Sequence, residues 1–395
     1  MTLSAPTLAD LQLSGSTVLV RVDFNVPFGD DGAITDDTRI RAALPTLKAI
    51  LDAGGKPVCL MHLGRPKGEV VDGLRVAPVG VRLQELLASP VLTLGESVGD
   101  DVKAAIDAAS MGTTVLLENV RFHPGETTGD DALAQQYAAL GDCFVNDAFG
   151  ASHRAHASVS GIAAHLPSAA GLLLQKEVEA FARVLNDPAR PLVAILGGAK
   201  VSDKLTVIEN LIDKVDSILI GGGMAYTFLA AQGIGIGTSL VETDRIDMCK
   251  AALAKAAAKG VDLILPSDHV CAEAFAPDSP PRTSGPGIPD GWMGLDIGPE
   301  SAKRYADIVR AAKTVVWNGP MGVFEFEAFR PGTEAVGRAL GEADGYTVVG
   351  GGDSVAAINL LGLQDAVDHI STGGGASLEL LEGKVLPGIA ALGSR

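Results

Sequence analysis

Short runs of apolar residues alternate along this chain with longer segments whose apolar residues recur at helical spacing. The runs are TVLVRVDF, KPVCLMH, TTVLLEN and DCFVND in the first half, and PLVAILGG, DSILIGG, VDLILP, KTVVWNG, GYTVVGG and DHISTGG in the second. Unbroken apolar strands separated by helices are typical of parallel sheets that are covered on both faces. The pattern therefore predicts an α/β protein with two open, doubly wound parallel-sheet domains.

The segment LLLQKEVEAFARVLNDPARP, residues 172–191, is expected to mark the boundary between these domains. It begins as an amphipathic helix, and we expect the helix to stop at residues 186–188, because proline disfavours helical geometry in the residue before it. A linker helix over 172–190 would join a domain at 1–171 to a second one that begins at 191. A surface helix within one domain fits the same pattern nearly as well.

Composition limits the classes of function. The chain has 395 residues, 47% of them apolar, which is enough for two cores, and its net charge of −17 argues against nonspecific nucleic-acid binding. The four cysteines are scattered without a CxxC pair, so we expect reduced thiols. The N-terminus shows no secretory signal, which favours a cytoplasmic protein.

One uncharged stretch, residues 217–241, is long enough for a membrane helix. It contains three consecutive glycines after a short β-branched run, which indicates a strand, a turn and then a helix. We therefore expect no membrane span.

Glycine follows the predicted strands of the second half repeatedly. The loops are LGGAK 196–200, IGGGMA 220–225, WNGPMG 317–322, VGGGDS 349–354 and STGGGAS 371–377. Glycine lets the backbone approach a ligand closely and exposes the N–H groups of the following helix, and ligands of α/β sheets bind at the carboxyl ends of the strands. The loops favour an anion or nucleotide site, although the GxxxxGK[ST] motif is absent.

Cationic and polar side chains follow the predicted strands of the first half. Each has a structural explanation when taken alone, but several buried guanidinium groups together call for an anionic partner. In GASHRAHASVSG, residues 150–161, small residues are expected to keep the loop open so that guanidinium and imidazole groups point at that anion. The residues at these strand ends are Asp23, Asn25, His62, Arg65, Arg121, His123, His153, Arg154 and His156, with Arg39 at the start of a helix.

Together the two halves suggest phosphoryl transfer between a nucleotide and a small anion, which depends mainly on alignment and charge neutralisation. Lys200 and Lys204 would share one face of a helix. Asp353, directly after three glycines, could contact Mg²⁺ or cap the following helix. No general base emerges, which fits an acceptor that is already ionised, such as a carboxylate.

Eight segments in order resemble the phosphoglycerate kinase family: RVDFNVP, HLGRP, DAFGASHRAH, LGGAKVSDK, GGGMAYTFL, WNGPMGVFE, VGGGDS and STGGGASLELLEGKVLPG. The resemblance implies two Rossmann-like domains joined by a helix, with a cleft between them that closes by hinge bending. Residues 1–171 would bind phosphoglycerate, 191–378 would bind the nucleotide, and 379–395 would return to the first domain. It implies a monomeric glycolytic enzyme that uses Mg²⁺ and transfers a phosphoryl group between 1,3-bisphosphoglycerate and ADP, giving 3-phosphoglycerate and ATP.

The resemblance also assigns roles to individual residues. Phosphoglycerate would be held by Asp23, Phe24, Asn25, Arg39, His62, Leu63, Gly64, Arg65, Arg121 and Arg154. The nucleotide would be held by Lys204, Gly294, Glu325, Gly351, Gly352, Asp353 and Ser354, with Asp353 on Mg²⁺. The phosphoryl group in transfer would be neutralised by Arg39 and Lys200, with the amides of Gly350 and Gly374.

Two other functions stay open on the residues alone. One is a different kinase for a phosphorylated carboxylate, and the other is a noncatalytic regulator that binds anions or nucleotides on the same fold. The presence of both ligand sets, including Lys200, disfavours the regulator.

Overall fold

The structure is a computed structural model that describes residues 5–393. Within this range the chain forms two compact units: an N-terminal unit of residues 5–179 with 385–393, and a C-terminal unit of residues 180–384. Each contains a six-stranded parallel sheet with helices around it, so the predicted α/β class with two doubly wound sheets is confirmed.

The sheet of the N-terminal unit has the strand order β3-β4-β2-β1-β5-β6. Its strands are β1 (Thr17–Arg21), β2 (Lys56–Leu60), β3 (Val91–Thr93), β4 (Thr114–Leu116), β5 (Cys143–Asn146) and β6 (Ser168–Ala170). Its helices are α1 (Thr38–Asp52), α2 (Ala77–Leu87), α3 (Asp100–Ala108) and α4 (Asp131–Ala138), followed by α5 (Leu172–Leu185).

Fully buried side chains on both faces of β1 and β2 explain their unbroken apolar sequences. Val18 and Val20 of β1 pack with Ile40 and Leu47 of α1 in one core. In the parallel register, Arg21 at the end of β1 pairs with Leu60 of β2 and Asn146 of β5. The carboxyl ends of these strands are therefore level, which brings the loops that follow them together.

The C-terminal unit has the strand order β15-β14-β13-β7-β8-β9 and a separate three-stranded antiparallel sheet, β11-β10-β12. Its strands are β7 (Leu192–Leu196), β8 (Ser217–Ile220), β9 (Asp262–Ile264), β10 (His269–Ala272), β11 (Arg282–Ser284), β12 (Met293–Ile297), β13 (Thr314–Asn318), β14 (Tyr346–Gly350) and β15 (His369–Ile370). Its helices are α6 (Leu205–Leu211), α7 (Met224–Ala231), α8 (Ile246–Lys259), α9 (Pro299–Ala311), α10 (Pro331–Glu342), α11 (Gly352–Leu361) and α12 (Gly375–Leu381).

Helix α5 lies where a helix was predicted, and it ends at Leu185, before the Asn186–Pro188 stretch that was expected to stop it. The division between the two units falls inside this helix, after Glu179. The chain passes back from the C-terminal unit to the N-terminal unit after Lys384. The sequence predicts that this C-terminal segment begins at residue 379. Residues 379–381 still belong to α12, which packs on α6, where Asn210 Nδ2 donates to the Leu381 carbonyl at 2.6 Å.

Residues beyond Lys384 return to the N-terminal unit, where helix α13 (Pro387–Ala390) is found. The amide of Gly388 donates to the Ser152 carbonyl at 2.8 Å, and Asn146 Nδ2 donates to the Gly388 carbonyl at 2.9 Å. Asn146 ends β5, so this segment is hydrogen-bonded next to the carboxyl edge of the sheet.

The uncharged stretch 217–241 is strand β8, a glycine turn and α7, as predicted. Among residues 5–393, no helix combines the length and the hydropathy that crossing a bilayer requires. The four cysteines are buried and free, as expected for reduced thiols.

Candidate active site

The predicted anion-binding side chains of the N-terminal unit follow four neighbouring strands, in the order β4, β2, β1 and β5. Because the carboxyl ends of these strands are level, the loops after them converge at one edge of the sheet. We call the resulting group the cationic cluster. It consists of Arg21, Arg39, His62, Arg121 and Arg154, whose charges act on one another.

Arg39 occupies the second position of α1, as expected, and its Nη1 donates to Asp23 Oδ2 at 2.7 Å. The Arg39 side chain remains 37% exposed. Asp23 thus positions a guanidinium group that can still reach a ligand. The Phe24 ring, between Asp23 and Asn25 in the same loop, is fully buried.

A second set of contacts joins the loop after β2 to the loop after β4. Asn119 Nδ2 donates to the Leu63 carbonyl at 2.8 Å, and its Oδ1 accepts from the amides of Leu63 and Arg121. The Gly64 carbonyl accepts a hydrogen bond from Arg121 Nη1 at 2.7 Å, and the Gly64 amide donates to Asn25 Oδ1 at 2.9 Å. These bonds fix the backbone of both loops and aim Arg121 along the sheet edge.

Arg121 is itself prepared for an anion. Burial, together with the nearby charges of Arg154 and Arg21, lowers the pKa of Arg121 to about 10. Its Nε is buried and has no hydrogen-bond partner. Since an unpaired buried donor costs free energy, an anion that accepts from Nε would be favoured here. Arg65, by contrast, is exposed.

The loop GASHRAHASVSG is less open than the sequence suggested. Arg154 is half-buried and its Nε donates to His153 Nε2 at 3.1 Å, whereas His156 is buried with its Nδ1 3.6 Å from Glu126 Oε1. His156 therefore lies against a buried carboxylate from another loop, and the expectation that an imidazole of this loop points at a ligand stays a prediction. His123 likewise contacts Ser97 Oγ, at 2.8 Å.

In the C-terminal unit the predicted glycine loops follow the level ends of adjacent strands. Asn318 at the end of β13 pairs in register with Leu196 of β7 and Gly350 of β14, and Leu196 pairs with Ile220 of β8. The loops after β7, β8, β13, β14 and β15 therefore start at one edge of the sheet.

The loop after β14 leads directly into α11. Gly351 has φ of +91°, a conformation that glycine adopts without strain, and it caps the helix. The amides of the first turn point out of the helix end, which suits a phosphate group. Ser354 is buried, and its Oγ accepts from the Gly319 amide at 2.5 Å, so its hydroxyl is already used to tie two glycine loops together.

Asp353 lies exposed at the second position of α11, and no side-chain capping bond is made at this helix end. The capping role considered for Asp353 is therefore not observed. Within residues 5–393, no three His, Cys, Asp or Glu side chains form a group suited to a metal ion. A single exposed carboxylate beside a phosphate-type loop still fits Mg²⁺, which usually takes one or two carboxylates plus phosphate oxygens.

Lys204 is partly buried and its Nζ donates to Asn318 Oδ1. Burial lowers the pKa of Lys204 to about 8. Asn318 Nδ2 is buried and has no partner, so an amide donor and an ammonium group adjoin the glycine loops. The prediction that Lys200 and Lys204 share a helical face is wrong, since α6 begins only at Leu205 and Lys200 lies exposed in the preceding turn.

The remaining predicted residues are spread over the same unit. Gly374, with φ of +49°, precedes α12. Gly294 lies in β12, where a Cβ would come within 2.2 Å of Tyr226 Oη, and its amide donates to Ser239 Oγ at 2.9 Å. Glu325 is exposed in the segment after β13.

Three functional candidates were missed by sequence reasoning: Arg21, Glu126 and Asn318. Arg21 and Glu126 are fully buried, and Asn318 is 2% exposed. Arg21 could have been found from the sequence, because it is a charged residue inside the apolar run TVLVRVDF. Glu126 and Asn318 carry no such signal, because their importance comes from contacts with distant loops.

A surface pocket of about 690 Å³ beside α1 and α2 contains none of the predicted site residues. Its Asp37 carboxylate accepts from Arg41 Nε and from Arg82 Nε and Nη2. The charges that line this pocket pair with each other, which makes it a poor substrate site.

Comparison with known proteins points in one direction. The family model described as phosphoglycerate kinase matches residues 8–384. The curated phosphoglycerate kinase from Moorella thermoacetica is 56% identical to the chain over 98% of the chain and 98% of the relative. The one from Synechococcus elongatus is 54% identical over 99% of the chain and 98% of the relative. The solved structure of phosphoglycerate kinase from Coxiella burnetii matches with a TM-score of 0.89 and 41% identity, and that from Pyrococcus horikoshii with 0.84 and 31%, each over 98% of both chains.

Proposed function

The chain belongs to the phosphoglycerate kinase family, and on this premise we propose that it catalyses the reversible, Mg²⁺-dependent transfer of a phosphoryl group between 1,3-bisphosphoglycerate and ADP, giving 3-phosphoglycerate and ATP in glycolysis. The observation that carries the proposal is the cationic cluster at the level ends of β4, β2, β1 and β5. Of the four guanidinium groups in the cluster, Arg39 bonds the Asp23 carboxylate, and the remaining positive charge makes a small acid with several negative charges a natural partner.

In this proposal the N-terminal unit binds phosphoglycerate. Arg121 offers its unpartnered Nε, and Arg39 offers the part of its guanidinium that Asp23 does not use. Asn25 and the loop of Leu63 and Gly64 form the backbone frame. The full set is Asp23, Phe24, Asn25, Arg39, His62, Leu63, Gly64, Arg65, Arg121 and Arg154.

The C-terminal unit binds the nucleotide in the same proposal. The amides at Gly351–Ser354 and the Lys204 ammonium group would hold the phosphates, because helix N-terminal amides and a lysine provide donors that phosphate oxygens need. Gly294, whose missing side chain makes room for the Tyr226 ring, would offer its backbone to the nucleotide, and Glu325 would contact the ribose. Asp353 would hold Mg²⁺, which supplies additional charge neutralisation on the phosphate oxygens.

The transfer itself needs neutralisation of the phosphoryl oxygens rather than proton removal. The carboxylate of 3-phosphoglycerate has no proton to lose, so no general base is required. Arg39 and Lys200 would provide positive charge, and the amides near Gly350 and Gly374 would donate hydrogen bonds to the group in transfer. Both positive side chains are exposed enough to move toward a ligand.

The reaction further requires that the two ligand sets be brought together by closure of the two domains, which would exclude water that could hydrolyse the acyl phosphate. The domains of the proposal are residues 1–171 and 191–378, with the linker helix between them and the C-terminal segment on the first. We also propose that the enzyme works as a cytoplasmic monomer without nucleic-acid or membrane partners.

A coupled assay with 3-phosphoglycerate and MgATP tests the function, by following ADP formation. Turnover that requires both substrates is the expected result. Nucleotide binding without turnover would instead support a regulator. Turnover with another phosphorylated carboxylate, but not with 3-phosphoglycerate, would indicate a different kinase.

A further inference from the structure

Arg21 is a fully buried guanidinium group at the end of β1, one residue before the loop that holds Asp23. Each edge of the group is occupied. Its Nε donates to Ser158 Oγ at 2.9 Å, its Nη1 donates to the Val22 carbonyl, and its Nη2 lies 3.1 Å from His62 Nδ1. A buried charge with this many partners has a fixed position.

The contact with His62 determines where the imidazole carries its proton. A guanidinium group has five N–H donors and no acceptor, so it can only donate in this pair. His62 Nδ1 must therefore be the acceptor and carry no proton. A neutral imidazole protonated on one nitrogen then has its N–H at Nε2, the nitrogen on the opposite side of the ring from Arg21.

Arg21 is in turn held by a buried carboxylate that it does not touch. Ser158 Oγ accepts from Arg21 Nε and donates to Glu126 Oε1 at 2.6 Å, while the Ser158 amide donates to Glu126 Oε2 at 3.0 Å. The negative charge of Glu126 acts on Arg21 through this hydroxyl. Ser158 thus links a donor and an acceptor, which fixes the direction of the Arg21 side chain.

We propose that Arg21 is a positioning residue that locks His62 in the Nε2–H tautomer, so that His62 acts as a permanent neutral hydrogen-bond donor to anionic phosphoglycerate. The inference rests on the proposed function, because it assumes that His62 contacts this substrate. A donor that stays neutral in this way would make the same contribution to substrate affinity across the physiological pH range.

The charges around His62 support the same conclusion. Burial is the main cause that lowers the pKa of His62 well below its ordinary value, and the charges of Arg21, Arg121, Arg154 and Arg39 lower it further. Two carboxylates act on the cluster: Glu126 bonds Ser158 through Oε1, and Asp23 bonds Arg39 through Oδ2 while its Oδ1 is buried without a partner. Protonation of Nδ1 would place an imidazolium N–H against the guanidinium, which is repulsive.

Nitrogen NMR of the wild-type enzyme tests the inference without any mutation. Long-range ¹⁵N–¹H correlations of His62 report which ring nitrogen is protonated. We expect an unprotonated Nδ1 and a protonated Nε2, with no titration between pH 6 and pH 8. A protonated Nδ1, or a ring that titrates near pH 6.5, would overturn the inference.

Two substitutions at Arg21 add a kinetic test. Arg21→Met removes both the donor and the charge, so the KM for 3-phosphoglycerate should rise by about tenfold at pH 8, the size expected for a lost charge-assisted hydrogen bond. In this variant His62 can protonate, so the ratio of its KM to the wild-type KM should fall toward pH 6, and taking the ratio removes the titration of the substrate phosphate, which also occurs near pH 6. Arg21→Lys keeps a charged donor and should restore most of the affinity.

Lys48→Met serves as the matched control, because Lys48 is an exposed cation of the same unit. It should leave KM and its pH profile unchanged. A KM that is raised equally at every pH in Arg21→Met would reduce Arg21 to a structural role and contradict the inference. If Arg21→Met does not fold, the wild-type NMR result decides.

The inference and the proposed function can fail separately. An enzyme that turns over 3-phosphoglycerate with His62 in the other tautomer would refute the inference alone. A His62 locked as Nε2–H in a protein that shows no turnover would refute the proposed function, and with it the assignment of the donor to phosphoglycerate.

Discussion

Arg39 is held in place by Asp23 and is still accessible to a ligand. Its Nη1 donates to Asp23 Oδ2 at 2.7 Å, while 37% of the side chain is exposed. If it neutralises the phosphoryl group in transfer, Arg39→Ala should lower kcat by about 10²–10³, as for other lost transition-state donors. Arg41→Ala is the control, because Arg41 lies on the same helix with its Nε on Asp37. Near-normal turnover of Arg39→Ala would exclude a transition-state role.

Asp353 is exposed at the start of α11 and makes no capping bond that would explain it. Asp353→Ala should therefore raise the Mg²⁺ concentration needed for half-maximal rate by about tenfold, with little change in thermal stability. Asp365→Ala, which removes another exposed carboxylate of the same unit, should leave the titration unchanged. An unchanged Mg²⁺ titration for Asp353→Ala would remove this residue from the metal site.

The lowered pKa of the buried Lys204 ammonium group predicts how kcat/KM for MgATP depends on pH. Its pKa is lowered to about 8, so in the free enzyme the ammonium group that would bind phosphate loses its proton as the pH rises above 8. We expect kcat/KM for MgATP to fall between pH 8 and pH 9.5, since this ratio reports the free enzyme. In Lys204→Arg the fall should vanish, because arginine stays charged. A flat wild-type profile up to pH 9.5 would contradict the assignment.

At the scale of elements, the N-terminus of α5 is capped by a residue of the loop after β5 and by a residue of helix α1. Asp147 Oδ1 accepts from the amides of Leu173 at 2.9 Å and Leu174 at 3.3 Å, and Thr46 Oγ1 accepts from the Leu172 amide at 2.9 Å. Burial raises the pKa of Asp147 to about 7, and Oδ2 has no partner.

Asp147→Ala should lower the free energy of unfolding by about 1 kcal/mol through the lost cap, as measured by urea denaturation. Asp147→Asn keeps the acceptor and is the matched control. Because the folded-state pKa is raised, the wild-type carboxyl contributes stability that is present below its unfolded pKa and lost as pH rises through about 7. Asp147→Asn should therefore gain stability relative to wild type between pH 4 and pH 8. A constant difference would mean that Asp147 does not titrate in the fold.

Ten strands of the two parallel sheets could be predicted: eight are central strands, whose buried faces give continuous apolar runs, and the edge strands β9 and β15 also lie in short apolar runs. The edge strands β3 and β6 and the antiparallel strands β10–β12 could not. Ser168–Ala170 and Arg282–Ser284 have no apolar run, and their pairing depends on distant partners. Helix ends could be predicted where a glycine ends the helix. Helix α8, for example, ends before Gly260, which has φ of +70°.

The candidate site divides in the same way. Positions after strand ends could be found because topology alone places them at one edge of the sheet, as for Asp23 and Arg121. The surroundings of His156 could not be predicted, because the Glu126 carboxylate beside it lies about thirty residues away in sequence and nothing local connects them. Roles in binding came from the family resemblance, since spacing alone cannot distinguish a phosphate from another anion.

At the scale of the whole molecule, the two ligand sets belong to different compact units. The cationic cluster lies in the N-terminal unit, and the glycine loops with Lys204 and Asp353 lie in residues 180–384. Among residues 5–393, neither unit contains both the cationic cluster and the glycine loops. Direct transfer of a phosphoryl group needs donor and acceptor oxygens in line, so the account requires the units to move toward each other when both ligands are bound.

Small-angle X-ray scattering of the full chain tests this requirement most directly. The radius of gyration should decrease when 3-phosphoglycerate and a nonhydrolysable MgATP analogue are both bound, and it should change less with either ligand alone. A radius of gyration that stays the same with both ligands bound at saturation, in an enzyme that turns over, would contradict transfer by domain closure.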